Sequence, residues 1–342
     1  MRLISTGKIY RAINRIIIPC GILILLSSCG QNKKEDKVAT EKVATPADIL
    51  TEKIKSEPNN PELYFQRSKW NLSMKKTALA ELDIRKAMTL DSTKSDYYLL
   101  LADICFAGFR IPDAETAFRK AASLDPSNIE AFLKLAELNL YMKKYEEAIS
   151  NANEALRIDK HRGKAYFIKG FVYKETKDTL RAISNFQTCV EQEPAYYDAI
   201  IQLGNLYATH NDPISLQYYN SALKLQPHSV EALYNRGLYY QNTGAIEKAV
   251  NDYNELLKID PAYGFAWFNL GYIALKFERD YNKAIPLFTN ALTYEKHYVE
   301  AYYNRGICYE NIGDKVKAKA DFMEALNIYP TYDLAKKALK RL

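Results

Sequence analysis

A chain of 342 residues, 48% hydrophobic and 26% charged, is long for one compact core, which leaves two domains or an array of repeats. Its formal charge of +6 includes Arg2, Lys8, Arg11 and Arg15 in the first 28 residues, where no Asp or Glu stands, and subtracting those four leaves +2. Nothing in that balance favours nucleic acid, whose binding depends on clustered Lys and Arg.

The first element is a basic stretch followed by an apolar run from Ile16 to Leu26, IIIPCGILILL. The run is too short to span a bilayer comfortably as a finished helix, so residues 1–28 read as a targeting signal that is removed. It ends in Leu26-Ser27-Ser28-Cys29-Gly30, which resembles the lipobox of bacterial lipoproteins. The resemblance implies cleavage before Cys29, acylation of Cys29, and a protein anchored by lipid in the cell envelope, at a bacterial outer membrane. Several acyl chains would hold it firmly. An uncleaved anchor, or an ordinary signal peptide with a chance cysteine, is the other reading of the same residues.

Residues 29–46 continue as GQNKKEDKVATEKVATP after Cys29, polar and without aromatics. Such a stretch cannot bury enough apolar surface to fold alone and is expected to be a flexible tether. Lys34-Glu35-Asp36 resembles the basic-acidic-acidic tag that sends some lipoproteins to the outer surface, and it is equally a solvated charge run, so the periplasmic or surface side stays open. Residues 47–60 are expected to form an N-terminal capping helix.

From Pro61 onward the chain repeats itself. The segment YYNRGICYENIGD at 302–314 echoes LYNRGLYYQNTGA at 233–245, and sliding the chain by 34 residues aligns small residues, aromatics and prolines in columns. With Val299 as position 1, Tyr302 is position 4, Arg305 is 7, Gly306 is 8, Tyr309 is 11, Ala318 is 20, Phe322 is 24, Ala325 is 27 and Pro330 is 32. This pattern resembles the tetratricopeptide repeat. Eight copies fit the frame, at 61–94, 95–128, 129–162, 163–196, 197–229, 230–263, 264–298 and 299–332. Residues 333–342, with leucines spaced for a short helix, are expected to cap the last copy.

The columns have a physical reading of their own. Gly or Ala at positions 8, 20 and 27 lets the two helices of a repeat, A and B, approach closely, while rings such as Trp267, Tyr302 and Phe322 fill the space beside them. Gly244 and Gly313 suit a left-handed cap after helix A, and the Asp-Pro pairs close helix B. Arg67, Lys169, Arg236 and Arg305 at position 7 are expected to lay their stems along a neighbouring helix with the charged heads in water. The fifth copy lacks a residue around Thr209 to Pro213, the seventh has one extra around Phe277 to Asp280, and Pro286 should kink its helix. Each hairpin shelters its apolar face only by stacking on its neighbours. The expected fold is therefore all-α, a right-handed α-solenoid of eight helix-turn-helix repeats.

No reaction centre is visible in the sequence. His161, His228 and His297 fall at position 33, in turns on the order of 20 Å apart, and His210 lies in the shortened turn, so they share no metal ion. A glycine-rich phosphate loop, an HExxH and a zinc-spaced Cys pair are all missing, so neither cofactor nor metal is expected. Cys105, Cys189 and Cys308 sit at apolar positions of three different copies and read as core fillers rather than disulfide partners.

What remains is binding. In tetratricopeptide arrays that hold peptides, positions 2, 5, 6, 9, 12 and 13 of helix A face the concave groove, and the resemblance carries this to Asn235, Asn269 and Asn304 at position 6. An amide donates and accepts at once, which suits a clasp on a peptide backbone; the same asparagine is also the common family residue and can bond within the array. Phe167, Phe171, Tyr234, Phe265, Phe268, Tyr272 and Tyr303 at positions 2, 5 or 9 either line that groove or pack between helices. Acids at position 2 in six copies, Glu62 and Glu300 among them, suit the helix dipole as well as a basic ligand. The expected function is a membrane-tethered scaffold, not an enzyme, binding a protein or extended peptide client. The alternative is a structural subunit of an envelope assembly that docks through its convex face or its ends.

Overall fold

The computed structural model describes residues 44–342; the expectations for residues 1–28, for Cys29 and for most of the tether lie outside it. The described residues form eighteen α-helices and no strand, in two compact units divided between Lys160 and His161.

In the first unit α1 (Pro46–Ser56) precedes three hairpins: α2 (Pro61–Ser73) with α3 (Thr77–Leu90), α4 (Ser95–Ala107) with α5 (Ile111–Leu124), and α6 (Ile129–Tyr141) with α7 (Tyr145–Ile158). The start of α1 is set by a capping box: Thr45 N donates to Asp48 Oδ2 at 2.9 Å while Thr45 Oγ1 accepts from Asp48 N. Pro46, expected in the tether, is thus its first helical residue. The second unit holds α8 (Gly163–Glu175) with α9 (Thr179–Gln192), α10 (Tyr197–Ala208) with α11 (Ile214–Leu225), and α12 (Val230–Asn242) with α13 (Ile246–Ile259). It continues with α14 (Gly264–Ile273) and α15 (Tyr281–Tyr294), then α16 (Val299–Asn311) and α17 (Lys315–Ile328), and closes with α18 (Asp333–Arg341) over α17. Each pair is one expected copy.

The small-to-large columns are the hairpin's packing code. A Cβ added at Gly170 would sit 2.6 Å from the Phe186 ring, at Gly237 2.8 Å from Tyr253, and at Gly306 2.6 Å from Phe322, so the position-24 ring lies flat on the bare backbone of helix A. Turns are equally uniform. The residue at position 15 is left-handed in seven of the eight copies, from Lys75 (φ 59°) and Phe109 (φ 58°) to Gly244 (φ 82°) and Gly313 (φ 85°), and the two glycines meet that demand at least cost. Between copies, Asp125 and Asp260 each accept a backbone N–H two residues on, so the Asp of Asp-Pro folds the exit turn.

Two expectations need correction. The heads of Arg67, Arg236 and Arg305 are not in water: each makes a two-pronged ion pair with a buried aspartate 16 residues later, Asp83, Asp252 and Asp321, at 2.7–2.9 Å. The third guanidinium nitrogen reaches 16 residues back, to Thr51, Asn220 and Thr289, so one side chain ties three helices together. Only Arg has a fork of donors that satisfies an acid buried between two helices. Burial lowers the pKa of the Lys169 ammonium, and the residue 16 positions after it is Asn185, not an aspartate. Next, the extra residue of the seventh copy does not lengthen the turn; it is taken up as a π-helical segment, Ala274–Glu278, closed by left-handed Arg279. Pro286 lies exposed inside α15, which continues through it from Tyr281 to Tyr294.

Cys105, Cys189 and Cys308 are buried free thiols, and burial pushes Cys189 and Cys308 up to about 12. In the first copy Ser68 and Asn71, weak matches to the repeat, are buried and bonded, Ser68 Oγ to Ala80 O at 2.7 Å and Asn71 Nδ2 to Asp83 Oδ2 at 3.1 Å. Asn139 on α6 differs: it is fully buried, and neither side-chain oxygen nor nitrogen has a hydrogen-bond partner. Orphaning a buried polar group costs about 1–3 kcal/mol. Asn139→Leu is therefore expected to raise the unfolding free energy by about that amount in urea denaturation; a loss of stability would mean that the amide is satisfied.

Candidate functional site

The candidate surface is the A-helix face of the second unit, where the sequence places all ten groove residues. Helix formation there puts positions 2, 5, 6 and 9 on one side, and the side chains at 5 and 9 lean over the turn N-terminal to them. The structure gives the rings a definite setting. Phe167 lies with its centroid 5.8 Å from Phe186 and 4.8 Å from Tyr196. Tyr234 lies 6.2 Å from Tyr253 and 5.2 Å from Tyr263. Phe268 lies 5.6 Å from Phe288 and 4.5 Å from Tyr298, and Tyr303 lies 5.8 Å from Phe322 and 5.6 Å from Tyr332.

These are four copies of one triad: position 5 of helix A, position 24 of helix B, and position 34 at the mouth of the next helix A. The position-24 ring is core; the position-5 ring stands on it and is only half-buried. Each of these rings thus packs on the core with one side and leaves the other partly exposed. The position-34 tyrosines were not singled out by sequence reasoning, although Tyr196, Tyr263, Tyr298 and Tyr332 stand at the repeat's own spacing. The fifth copy has Ile201 and Ser229 at those places, where Tyr197 is hydrogen-bonded to Ser229 through their hydroxyls.

Phe171 packs edge-on against Phe167 at 4.8 Å. Phe265 joins Tyr263 at 6.0 Å and Tyr298 at 5.3 Å, and Tyr272 stacks on Phe268 at 6.3 Å. Tyr234, Tyr263, Phe265, Tyr298, Phe268 and Tyr272 therefore form one run of touching rings across the sixth and seventh copies. Burial raises the Tyr298 phenol strongly, with Tyr234, Glu300, Glu295 and Tyr332 adding to it. Burial also pushes Tyr332 up to about 12, with Glu300 and Tyr303 contributing. The hydroxyls stay protonated at any physiological pH and remain able to donate.

The three asparagines are not equivalent. Asn304 Nδ2 donates to Glu300 O of its own helix at 2.7 Å. Asn269 Nδ2 is 3.5 Å from the Tyr234 hydroxyl, a marginal bond that links two copies. Asn235 Nδ2 is buried and has no acceptor. One rung of the expected ladder is occupied, one is loosely held, and one is unsatisfied.

The four histidines are exposed and lie in the turns, and His161 Nδ1 sits 2.6 Å from Gln192 Oε1. Among the described residues no three His, Cys, Asp or Glu side chains come close enough together to hold a metal ion, and no helix is long and apolar enough to cross a membrane.

Profiles described as Tetratricopeptide repeat match residues 129–162 and 163–196, 230–263 and 299–332, on the copy boundaries drawn from the sequence. The chain is 27% identical over 181 residues to Tetratricopeptide repeat protein 6 of Homo sapiens, covering 49% of this chain and 33% of that protein. It is 35% identical over 74 residues to the uncharacterized protein MJ0572 of Methanocaldococcus jannaschii, covering 22% of this chain and 85% of that one. Among solved structures, the C-terminal part of a TPR repeat-containing protein from Cytophaga hutchinsonii superposes with a TM-score of 0.57 at 18% identity, over 70% of this chain and 98% of that one.

Proposed function

This chain is built of tetratricopeptide repeats, and from that premise we propose that it is a lipid-anchored, non-catalytic scaffold that captures a protein or extended peptide on the A-helix face of its second unit. The fold generally mediates contacts between proteins and serves many unrelated partners, so the site carries the argument. The observation that carries it is the row of half-buried rings beside Asn235, whose buried amide donor has no acceptor within the chain. Rings on a rigid base supply contact area at little entropic cost.

The anchor rests on Leu26-Ser27-Ser28-Cys29. Acylation at Cys29 would set the array on a bacterial outer membrane at the end of a short polar tether. Cys29→Ser is expected to shift the protein from the membrane fraction to the soluble fraction and abolish labelling by a clickable fatty acid. Unchanged fractionation and labelling would discard the anchor.

The client reading is tested by in-cell crosslinking of the lipidated protein. Replacing Asn235, Asn269 and Asn304 with alanine is expected to weaken capture while the helical circular dichroism and melting temperature are retained. Capture at the parental level would remove the amides from the binding account. The alternative, a structural subunit docking through the opposite face, predicts that changes on exposed B-helix residues such as Val316 and Met323 disrupt capture instead.

A further inference from the structure

The first unit carries a second surface, at the edge where each helix A turns into its helix B. The turns there end in apolar tips. Met74 is 54% exposed and Phe109 74%, Leu79 in the first turn of α3 is 51% exposed, and Met142 stands half-buried in the third copy's turn. Successive turns make one edge because each reaches the helix B before it: Arg110 Nη2 donates to Glu81 Oε2 at 2.6 Å, and Lys144 Nζ to Glu115 Oε2 at 3.1 Å.

Phe109 is the most telling of these tips. It is left-handed, at φ 58°, a conformation costly for a bulky side chain, at the place where Gly244 and Gly313 stand in other copies. Its ring is mostly in solvent, so packing within the chain does little to offset that cost. What the ring gains lies outside the chain.

The way the chain enters the array says what lies there. Helix α1 stands where a preceding helix B would: Thr51 accepts from Arg67 Nη1 as Asn220 and Thr289 accept from Arg236 and Arg305. A helix B begins at the A-to-B edge, and Thr45, the cap of α1, accordingly lines one cleft with Trp70, Lys76 and Leu79. The segment that bears Cys29 therefore joins the array beside Met74 and Lys76. Thr45 is sixteen residues on from Cys29, a reach of at most about 58 Å at about 3.6 Å a residue. An acylated Cys29 keeps the bilayer within that reach of the edge, and a contact too weak to hold a free protein becomes intramolecular.

Charge on the edge is mixed. Lys75, Lys76 and Lys143 are exposed in the turns themselves, and a lysine stem lies along apolar surface while its ammonium stays in water. Glu81 is held by Arg85 and Arg110, and Glu115 by Arg119 and Lys144. The exposed acids Asp48, Asp113, Glu146 and Glu147 follow in the first turns of α1, α5 and α7. Such a balance gives no strong pull toward anionic lipid, so the apolar tips carry the contact. Position 14, the place of Met74 and Met142, is Thr176, His210 and Thr243 in the fourth to sixth copies; Phe277 and Ile312 hold it in the seventh and eighth, farthest along the chain from Cys29.

We propose that the A-to-B turn edge of the first unit rests on the bilayer that holds the acylated Cys29, with Met74, Leu79 and Phe109 entering its interfacial region. The proposal rests on the anchor reading above and adds the orientation of the first unit on the lipid.

The test uses the processed, lipidated protein reconstituted in phosphatidylcholine vesicles with and without brominated acyl chains, which quench a fluorophore on contact. One fluorophore is placed on Met74→Cys, or on Ser92→Cys in the exposed turn at the opposite edge; Cys105, Cys189 and Cys308 are buried. The Met74 label is expected to lose emission in brominated vesicles while the Ser92 label keeps it, and Phe109→Gly to restore part of the loss. The melting temperature of Phe109→Gly should not fall, because glycine suits the left-handed turn; a fall would assign the ring to packing and overturn its role as a lipid contact. Full emission from both labels in protein that floats with the vesicles would overturn the edge, give the tips to a protein partner and leave the anchor standing. Equal loss from both labels would also overturn the edge. Fatty-acid labelling of the same preparation reads the anchor separately: quenching at Met74 without an acyl chain on Cys29 would sustain the edge and overturn the anchor, and neither signal would overturn both.

Discussion

Arg236→Leu is expected to destabilise the second unit by about 3–5 kcal/mol, the usual cost of leaving one member of a buried ion pair without the other. Asp252 is 2% exposed and receives both prongs of the guanidinium, at 2.7 and 2.8 Å. Without Arg236 its charge would stay buried, and Asn220 would lose its bond to the neighbouring helix A. The protein itself suggests the rescue. Where position 7 is Leu270, its partner at the position of the aspartate is Leu287, in one apolar cluster. Arg236→Leu combined with Asp252→Leu should therefore recover most of the loss, to within about 1 kcal/mol of the parent, because a well-packed apolar pair replaces a buried ion pair at little cost. Urea denaturation of the four proteins of the cycle measures the coupling. A single variant costing under about 1 kcal/mol, or a double variant no better than the single, would mean that the pair does not hold the helices together.

Phe322→Ala is expected to cost about 3–5 kcal/mol, since the ring is fully buried between α16 and α17. Its close partner is Gly306, where an added Cβ would meet ring atoms at 2.6 and 2.8 Å. Gly306→Ala alone should cost about 1–3 kcal/mol by overpacking, and much less when Phe322 is already leucine, whose smaller side chain leaves room. Because a repeat array unfolds by neighbouring units, the loss should appear first as faster hydrogen exchange in α16, α17 and α18. Equal cost of Gly306→Ala in both backgrounds would show that the glycine answers to something other than the ring. A displaced Phe322 would also tilt Tyr303, which stands on it at 5.8 Å, so this defect should reach the candidate surface.

The hairpins were legible because small residues, aromatics and prolines recur in columns at a fixed spacing, whereas the left-handed turn was legible only where Gly244 and Gly313 mark it. Gly306, Phe322 and Gly313 each announce their role alone. Pairs are harder to read. Asp83, Asp252 and Asp321 are ordinary helix acids until the 16-residue offset from Arg67, Arg236 and Arg305 is noticed, and an arginine stem with its head in water was the simpler account. The same holds for Tyr196, Tyr263, Tyr298 and Tyr332, whose meaning comes from the two rings each one touches. The π-helical segment at Ala274–Glu278 was legible only as an extra residue, because a turn and a helix can both absorb an insertion. The state of the asparagines depended on rotamers: one position and one residue type gave a bond to the helix at Asn304, a loose bond at Asn269 and an idle donor at Asn235.

The most direct measurement is site-specific photocrosslinking in cells, with a photoreactive residue placed at Tyr272 or Leu238 on the A-helix face and, separately, at Leu180 or Val316, which are each 82% exposed on B helices. Adducts of one defined size from Tyr272 and Leu238, absent from Leu180 and Val316 and diminished by Asn235→Leu, are the predicted result. Adducts that arise from Leu180 and Val316 while Tyr272 and Leu238 stay silent would contradict it.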